Sequence, residues 1–377
     1  MRVAIVGCGF VADQYMQSLP RHADLELVGV ADRIQAHAER FSAHYRVPTY
    51  RSLDSLLADS RIEMVLNLTN PSSHFEVSRA CLLSGKHVYS EKPLAMTVDD
   101  ANALVNLAEQ RGLKLAGAPS RLLGETAQTM WKALRDGAIG KPLVAYAEMD
   151  DGLVHRMNYK GWIGPSGAMW PYKDEFETGC TLEHAGYAVT WLTAFFGPAE
   201  SVTTFASVQI PDKETDDPIE VLAPDFSVAS IKYRSGVVAR LTCSIIVPEN
   251  HSIRIFGNEG MLHIKDCWKN RETVYLNRRR KFLGRSIALP WPSKVPLLGS
   301  PELAQRSRGL KKVDFCLGPL EIVGSLRENR ECRLSARFCL HINELVLAIH
   351  NALAGGSAIH VKMGTTFSPI DPMPWAR

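Results

Sequence analysis

Two short stretches of this chain combine residue types and spacing that can do chemistry. Gly7-Cys8-Gly9-Phe10-Val11-Ala12 follows an apolar run at 2–6 and leads into a helix-period segment, a G-x-G-x-x-A pattern. The first glycine permits a tight turn, the second lets a pyrophosphate approach the backbone, and the alanine lets helix and strand pack closely. The helix N-terminus adds free N–H groups and the positive end of a dipole. Asp32 closes the next apolar run, at 25–31. A carboxylate there accepts hydrogen bonds from the adenosine ribose and favours NAD. Arg33 beside it offers a guanidinium to a 2′-phosphate, which keeps NADP open. Gly7, Cys8, Gly9, Phe10, Val11, Asp32 and Arg33 are the dinucleotide-binding candidates; the plain alternative is a tight turn that binds nothing.

The second stretch is Ser90-Glu91-Lys92-Pro93, after what reads as the fifth strand. A lysine at the carboxyl end of a parallel strand faces the ligand crevice, where nicotinamide would lie. Oxidised nicotinamide is cationic, and with partial desolvation it would lower the ammonium's pKa toward a working range. Lys92 would then polarise or deprotonate an alcohol while hydride leaves the adjacent carbon. Glu91 would orient the lysine or reach the nicotinamide ribose. The structural alternative is a solvent ion pair Glu91–Lys92 before a proline-fixed turn.

Both stretches need a parallel sheet to hold them, and residues 1–120 have its grammar. Apolar runs at 2–6, 25–31, 64–68, 87–90 and 113–116 alternate with helix-period segments at 34–45, 74–84 and 97–110. That alternation predicts a doubly wound α/β fold. Thr97 with Asp100 three residues on is close to a capping box. Beyond Ser120, a helix at 125–134 precedes strand candidates at 143–149, 202–207, 226–233, 237–246, 252–256 and 261–265. Turns such as Ser235-Gly236 and Glu259-Gly260 make this a run of hairpins, hence a largely antiparallel sheet. Residues 267–316, basic and rich in Pro, Gly and Ser, read as an insertion before a final helix at 338–351. The expected organisation is a Rossmann-type dinucleotide domain over 1–122 and an α+β substrate-binding and oligomerisation domain over 123–377.

Composition excludes several function classes. With 377 residues, 46% hydrophobic and 22% charged, this is an ordinary globular chain of two or three domains, not a disordered or fibrous one. The 43 basic and 40 acidic residues balance too closely for a nucleic-acid partner. Eight cysteines form no CxxC pair and no Cys/His run at zinc spacing, so they read as reduced, buried thiols, and no metal is expected. No uncharged stretch reaches the ~18 residues of a membrane span, and the first strand begins too early for a leader. The expected location is the cytoplasm, with no membrane partner. The densest positive run, Asn277-Arg278-Arg279-Arg280-Lys281, reads as a solvated face ahead of a receiver for a phosphorylated sugar or an acidic partner.

The glycine loop, the Glu91-Lys92-Pro93 motif and the stretch from Gly179 to Gly197 together resemble the Gfo/Idh/MocA oxidoreductase family. Its members include glucose–fructose oxidoreductase, inositol dehydrogenases and sugar-nucleotide dehydrogenases. The run 252–257 and the Gly260-Met261-Leu262 hairpin resemble its second-domain sheet, so the resemblance spans nearly the whole chain. It implies an NAD(P)-dependent oxidoreductase for a secondary alcohol of a sugar, cyclitol or sugar derivative. It also implies a homo-oligomer, dimer or tetramer.

In many relatives a second-domain helix reads D-x-G-x-H, whereas this chain reads Glu183-His184-Ala185-Gly186-Tyr187. Tyr187 stands where the family histidine does relative to Gly197, and glucose–fructose oxidoreductase also carries tyrosine there. The resemblance therefore implies Lys92 as the leading acid–base or electrostatic group and Tyr187 as sharing the proton transfer. Glu183 and His184 are further catalytic candidates. Leu182, Ala185, Val189, Leu192 and Phe196 form an apolar helix face, with Glu183 and Tyr187 one turn apart on a neighbouring face. His184 points about 100° away from Glu183 in a regular helix.

Thr69, Asn70 and His74 match the path that lines the cofactor in relatives. Arg121 and the loop Met169-Trp170-Pro171-Tyr172-Lys173 are candidate substrate contacts, Trp170 and Tyr172 by stacking on sugar faces. His341-Ile342-Asn343-Glu344 resembles a metal pair by letters only and reads as structural. Two other readings remain. One is a redox-neutral, NAD-retaining glycosidase or lyase. The other is a non-catalytic dinucleotide-sensing regulator, against which the retained Lys92 argues.

Overall fold

Five apolar runs pair side by side as parallel strands: β1 (Arg2–Val6), β2 (Glu26–Ala31), β3 (Met64–Asn67), β4 (His87–Ser90) and β5 (Leu115–Gly117). Sheets covered on both faces bury whole strands, which is why these runs are continuous rather than alternating. The computed structural model describes residues 1–282, 285–299 and 313–377. The strand order is β2-β1-β3-β4-β5. Direction of winding reverses between β1 and β3, and a crevice opens beyond the carboxyl ends of the strands at such a switch point. The crossovers carry α1 (Phe10–Ser18), α2 (Gln35–Tyr45), α3 (Leu53–Leu57), α4 (His74–Leu83) and α5 (Val98–Gln110). Thr97 caps α5 by accepting the Asp100 N–H at 3.1 Å.

Strand β4 is the fourth strand of the sheet, not the fifth. Between β2 and β3 the chain makes only the isolated bridge Val30–Thr49, because short helix α3 occupies that connection. Gly7 ends β1 at φ +97°, and a Cβ there would stand 2.5 Å from the Leu68 carbonyl oxygen. Only glycine lets the turn after β1 lie against the turn after β3.

The second sheet is built from β6 (Pro142–Asp150), β7 (Ala199–Ser207), β8 (Phe226–Tyr233), β9 (Val238–Ser244), β10 (Ile253–Gly257), β11 (Gly260–Ile264), β12 (Val274–Phe282), β13 (Arg285–Ala288), β14 (Ser293–Val295) and β15 (Ile359–Lys362). Its order is β13-β12-β11-β10-β6-β9-β8-β7-β15, with β14 on β12, and it is antiparallel apart from the β6–β9 pair. The helices of this half are α6 (Glu125–Arg135), α7 (Tyr172–Thr178), α8 (Gly186–Phe196), α9 (Leu317–Arg327), α10 (Ala336–His350) and the single turn α11 (Ala352–Gly355). α8 and α10 pack on the sheet. The stretch 336–355 has a mean hydropathy of 1.2, enough by composition to cross a membrane, yet 61% of it is buried as core.

The expected insertion at 267–316 is in part sheet, since β12, β13 and β14 extend the edge beyond β11. Its residues 283–284 and 300–312 lie outside the described ones. The chain then returns to the first unit. Asp314 faces His22 at 2.8 Å, and the Phe315 N–H donates to Ser18 Oγ at 3.1 Å. His341 and Glu344, the apparent metal pair, bind backbone instead. His341 Nε2 accepts the Ala199 N–H at 2.9 Å, and Glu344 accepts the Gly364 N–H at 2.7 Å.

One buried charge pair locks the returning helix. Arg333 donates to Glu321 of α9 at 2.9 Å and to the carbonyls of Asp371 and Pro372 at 3.1 and 3.0 Å. Removing one partner of such a pair strands a buried charge at a cost of roughly 3–5 kcal/mol. Glu321→Ala should therefore lower the unfolding free energy by that order, whereas Arg337→Ala, which breaks the exposed pair with Glu109, should barely change it. Equal small effects in urea melts would refute this account.

Candidate active site

The carboxyl ends of β1, β3 and β4 open into a cleft of about 1240 Å³ whose far wall belongs to the second unit. At one end the glycine loop enters α1. No side chain caps that helix, and a Cβ on Gly9 would meet no atom within 4 Å. The leading N–H groups thus present an open cradle of the kind a phosphate needs. Asp32 accepts the N–H groups of Cys8 and Ile34, both at 2.8 Å. This fixes its carboxylate while leaving lone pairs for ribose hydroxyls. Arg33, His37, Arg40 and Arg51 line the same end, so a 2′-phosphate would also meet cations. Cys8 does not line the cleft among the described residues, since its N–H is held by Asp32. Its thiol turns to the Ala31 carbonyl, 3.7 Å away, and burial followed by the Asp32 charge push it up to about 12. On these observations the residues fit a dinucleotide: Gly7, Gly9, Phe10 and Val11 would hold the pyrophosphate and Asp32 the ribose.

Thr69, Asn70 and His74 line the cleft beyond β3. The buried His74 ring has Nδ1 2.7 Å from the Pro93 carbonyl and Nε2 2.8 Å from the Thr69 carbonyl, and burial pulls its pKa down. It pins the loop after β3 to the loop that carries Lys92. Asn70 donates to Asp174 of α7 at 2.5 Å, bridging the two units.

Lys92 leaves the end of β4 and ion-pairs with Glu183. Burial opposes the ammonium, but Glu183, then Glu175, outweigh it and hold the lysine's pKa up. The expectation of a lowered lysine is thus corrected: two facing carboxylates from distant segments stabilise its charge. Burial and the Glu183 charge in turn drive Glu175 well above the carboxylate range. Glu91 is not the lysine's partner. It accepts the Tyr15 hydroxyl at 2.6 Å and the Lys92 N–H at 3.3 Å. Tyr187 completes this end; burial pushes its hydroxyl up to about 12 against the pull of Lys92 and Arg121.

Thr181–Ala185 forms a π-turn ahead of α8. The extra residue in a π-turn rotates the downstream side chains by about 100° relative to a regular helix. Glu183, His184 and Tyr187 therefore all line the cleft, and the regular geometry that aimed His184 elsewhere does not hold. Trp170 also lines it. Tyr172 and Arg121 do not, among the described residues. The Tyr172 hydroxyl donates to Asp217 at 2.6 Å, outside the cleft. Arg121 is buried behind the wall, its guanidinium 6.0 Å from the Tyr187 ring and 4.4 Å from Phe315.

Sequence reasoning missed Glu175, Asp151, Trp162, Trp268 and Phe315, which also line the cleft. They come from separate segments with no shared spacing; the acidic end of β6 was the single available cue. The two cofactor readings separate by mutation. Asp32→Asn should weaken NAD about tenfold, close to 1.4 kcal/mol, and Arg33→Ala should weaken NADP while sparing NAD. Calorimetric titration checks both, and unchanged NAD affinity in Asp32→Asn would remove the ribose role.

Known proteins share this architecture. Residues 1–117 match the oxidoreductase family with an NAD-binding Rossmann fold, and residues 127–263 match the GFO/IDH/MocA C-terminal domain. The chain is 27% identical over 286 residues to trans-1,2-dihydrobenzene-1,2-diol dehydrogenase of Mus musculus, covering 75% of this chain and 80% of that one. The structure of the WlbA dehydrogenase from Bordetella pertussis, in complex with NADH and UDP-GlcNAcA, shares the fold at a TM-score of 0.73 and 20% identity, over 96% of this chain and 98% of that one. Aldose-aldose oxidoreductase from Caulobacter crescentus, complexed with glycerol, does so at 0.73 and 18%, over 96% and 99%. With both halves matched and the glycine cradle and Lys92 facing one cleft, the chain belongs to the Gfo/Idh/MocA family of NAD(P)-dependent oxidoreductases.

Proposed function

We propose that the protein transfers a hydride between NAD(P) and a secondary alcohol on a ring, that of a sugar, cyclitol or sugar derivative. The observation that carries this reading is the Lys92 ammonium, paired with Glu183, beside the Tyr187 hydroxyl in one cleft with the glycine cradle. Bound there, the nicotinamide supplies the hydride acceptor or donor. Lys92 holds the substrate oxygen by charge and polarises it. Tyr187 keeps its proton at neutral pH, so it can donate to that oxygen when a carbonyl is reduced. Trp162, Met169, Trp170 and Trp268 supply apolar walls on which a ring face can stack.

A variant of this reading is favoured by those aromatic walls together with the dihydrodiol dehydrogenase relatives: a less polar ring carrying a vicinal diol. A panel running from hexoses and cyclitols to dihydroxylated cyclohexadienes, scored by kcat/KM, ranks the two. The eight free, buried thiols suit a reducing cytoplasm. The sheet face bearing Tyr146, Val238 and Phe256 suits a homo-oligomer, which sedimentation measures.

Lys92→Ala should cut kcat by about 10²–10⁴ while cofactor affinity holds within a few-fold; intact turnover would end the assignment. Glu183→Gln removes the nearer anion, so Lys92 should lose its proton at lower pH. The limb of the kcat profile that tracks Lys92 should move down, and an upward move or none contradicts the pairing.

A further inference from the structure

A hairpin of the second unit reaches back onto the dinucleotide end of the cleft. Residues 162–170 pair on themselves. The Trp170 N–H donates to the Trp162 carbonyl at 2.9 Å, the Gly164 N–H donates to the Ala168 carbonyl at 2.8 Å, and Ile163 bridges Met169. Gly164-Pro165-Ser166-Gly167 makes the turn, closed by the Gly167 N–H on the Gly164 carbonyl at 2.8 Å. Proline at the second position presets that turn, and Gly167 at φ +84° adopts a backbone that favours glycine. Aromatic packing fixes the base: the Trp170 ring lies 4.9 Å from Trp162, 6.0 Å from Tyr159 and 6.1 Å from Phe176.

The tip lands on α1, the helix whose N-terminus forms the glycine cradle. Asp13, in the first turn of that helix and fully buried, accepts the Ser166 hydroxyl at 3.0 Å and the Ser166 N–H at 3.3 Å. The Tyr45 hydroxyl holds the same carboxylate from the Rossmann side at 2.7 Å. Gly164 presses on it so closely that a Cβ would stand 2.0 Å from Oδ2. Next along the tip, a Cβ on Gly167 would stand 3.6 Å from Cδ of Arg40, whose guanidinium is 3.5 Å from the Cys8 carbonyl inside the glycine turn. Gly167, Ala168 and Met169 line the cleft together with Gly9, Phe10 and Val11, whereas Asp13, Gly164 and Ser166 do not, among the described residues.

We infer that the 162–170 hairpin is a strap that roofs the bound dinucleotide, with Asp13 and Ser166 as its latch, so that the cofactor enters and leaves only when the latch opens. The inference rests on the dinucleotide site and not on which alcohol is oxidised. A cofactor laid from Asp32 to Lys92 crosses the leading N–H groups of α1, and the same helical turn carries Asp13, so the ligand passes beneath Gly167 and Ala168. Asp13, Gly164 and Ser166 are positioning residues: they place the tip and leave the contact to its neighbours. The strap is also built to open. Ile163 and Met169 are 57% and 56% exposed, so the middle of the hairpin buries little, and the tip is held through one carboxylate. Hydrogen bonds to a charged acceptor are the stronger kind, but a few of them with little apolar burial break as one local unit.

The test follows release of reduced cofactor from the full chain by stopped-flow fluorescence, using NADH or NADPH, whichever binds more tightly, and the oxidised form as chase. Ser166→Ala removes the hydroxyl bond and Gly164→Val wedges the tip off Asp13. Each should raise koff roughly tenfold, while Ser166→Thr, which keeps the hydroxyl, should stay within about threefold of wild type. Bound cofactor should slow hydrogen exchange of the 162–170 amides in the wild type and protect them less in Ser166→Ala and Gly164→Val. A seam that only stabilises the fold would lower the urea midpoint and leave release and protection alone. Release within about twofold of wild type in both variants, or no protection of these amides on binding, would overturn the inference. Wild-type protein that binds cofactor but turns over no alcohol would end the hydride-transfer reading and leave the strap to be decided by release and exchange. If neither nucleotide binds, the inference falls with the site.

Discussion

Taking an ammonium out of water costs several kcal/mol unless an opposite charge meets it, and Lys92 meets its counter-charge across the cleft. The lysine stands at the end of a Rossmann strand, whereas Glu183 stands on a π-turn of the second unit. The pair therefore needs both units in register before either side chain is satisfied. Other contacts secure that register. The Asp13 carboxylate at the start of α1 accepts the Tyr45 hydroxyl at 2.7 Å and the Ser166 hydroxyl of the second unit at 3.0 Å. Gly164 packs so close to Asp13 that a Cβ would stand 2.0 Å from its carboxylate. The Asn70–Asp174 bond closes the same seam.

Charge is distributed along the cleft in a way that suits a dinucleotide laid from end to end. Arginines and the bare helix N-terminus gather where phosphates and adenosine would lie, while Glu183, Glu175 and Glu91 act on the Lys92 ammonium at the chemical end. In such a site the ammonium does not wait as a neutral amine. Its carboxylate neighbours keep it charged, so its role is to hold and polarise an oxygen, and proton movement falls to other groups. Burial, acting against the pull of the lysine, likewise keeps the Tyr187 hydroxyl protonated.

Much of the fold was legible because burial on both faces forces continuous apolar runs. The five strands of the first sheet stand where such runs occur, within a residue or two, and the hairpin turns marked most of the second sheet. Short helices α3 and α7 escaped notice, since few residues carry little periodicity, and the 11-residue α9 escaped as well. Strands β12 to β14 escaped for a different reason: their basic, Pro- and Gly-rich composition resembles a loop, and only pairing with β11 makes them a sheet edge. Arg121 and Tyr172 illustrate the same limit at the site, for residue type suggested contact while direction was settled by packing behind Phe315 and by Asp217.

Local constraints alone determined the glycine turn, the acid at the end of the second strand and the lysine before a proline, because each depends on backbone geometry within a few neighbouring residues. The charge state of that lysine depended instead on carboxylates roughly a hundred residues away in the chain, and the facing of His184 on one extra residue in a helical turn. Neither is written in spacing. Electrostatic fields act through space between side chains that only the folded chain brings together, so those properties belonged to the tertiary structure.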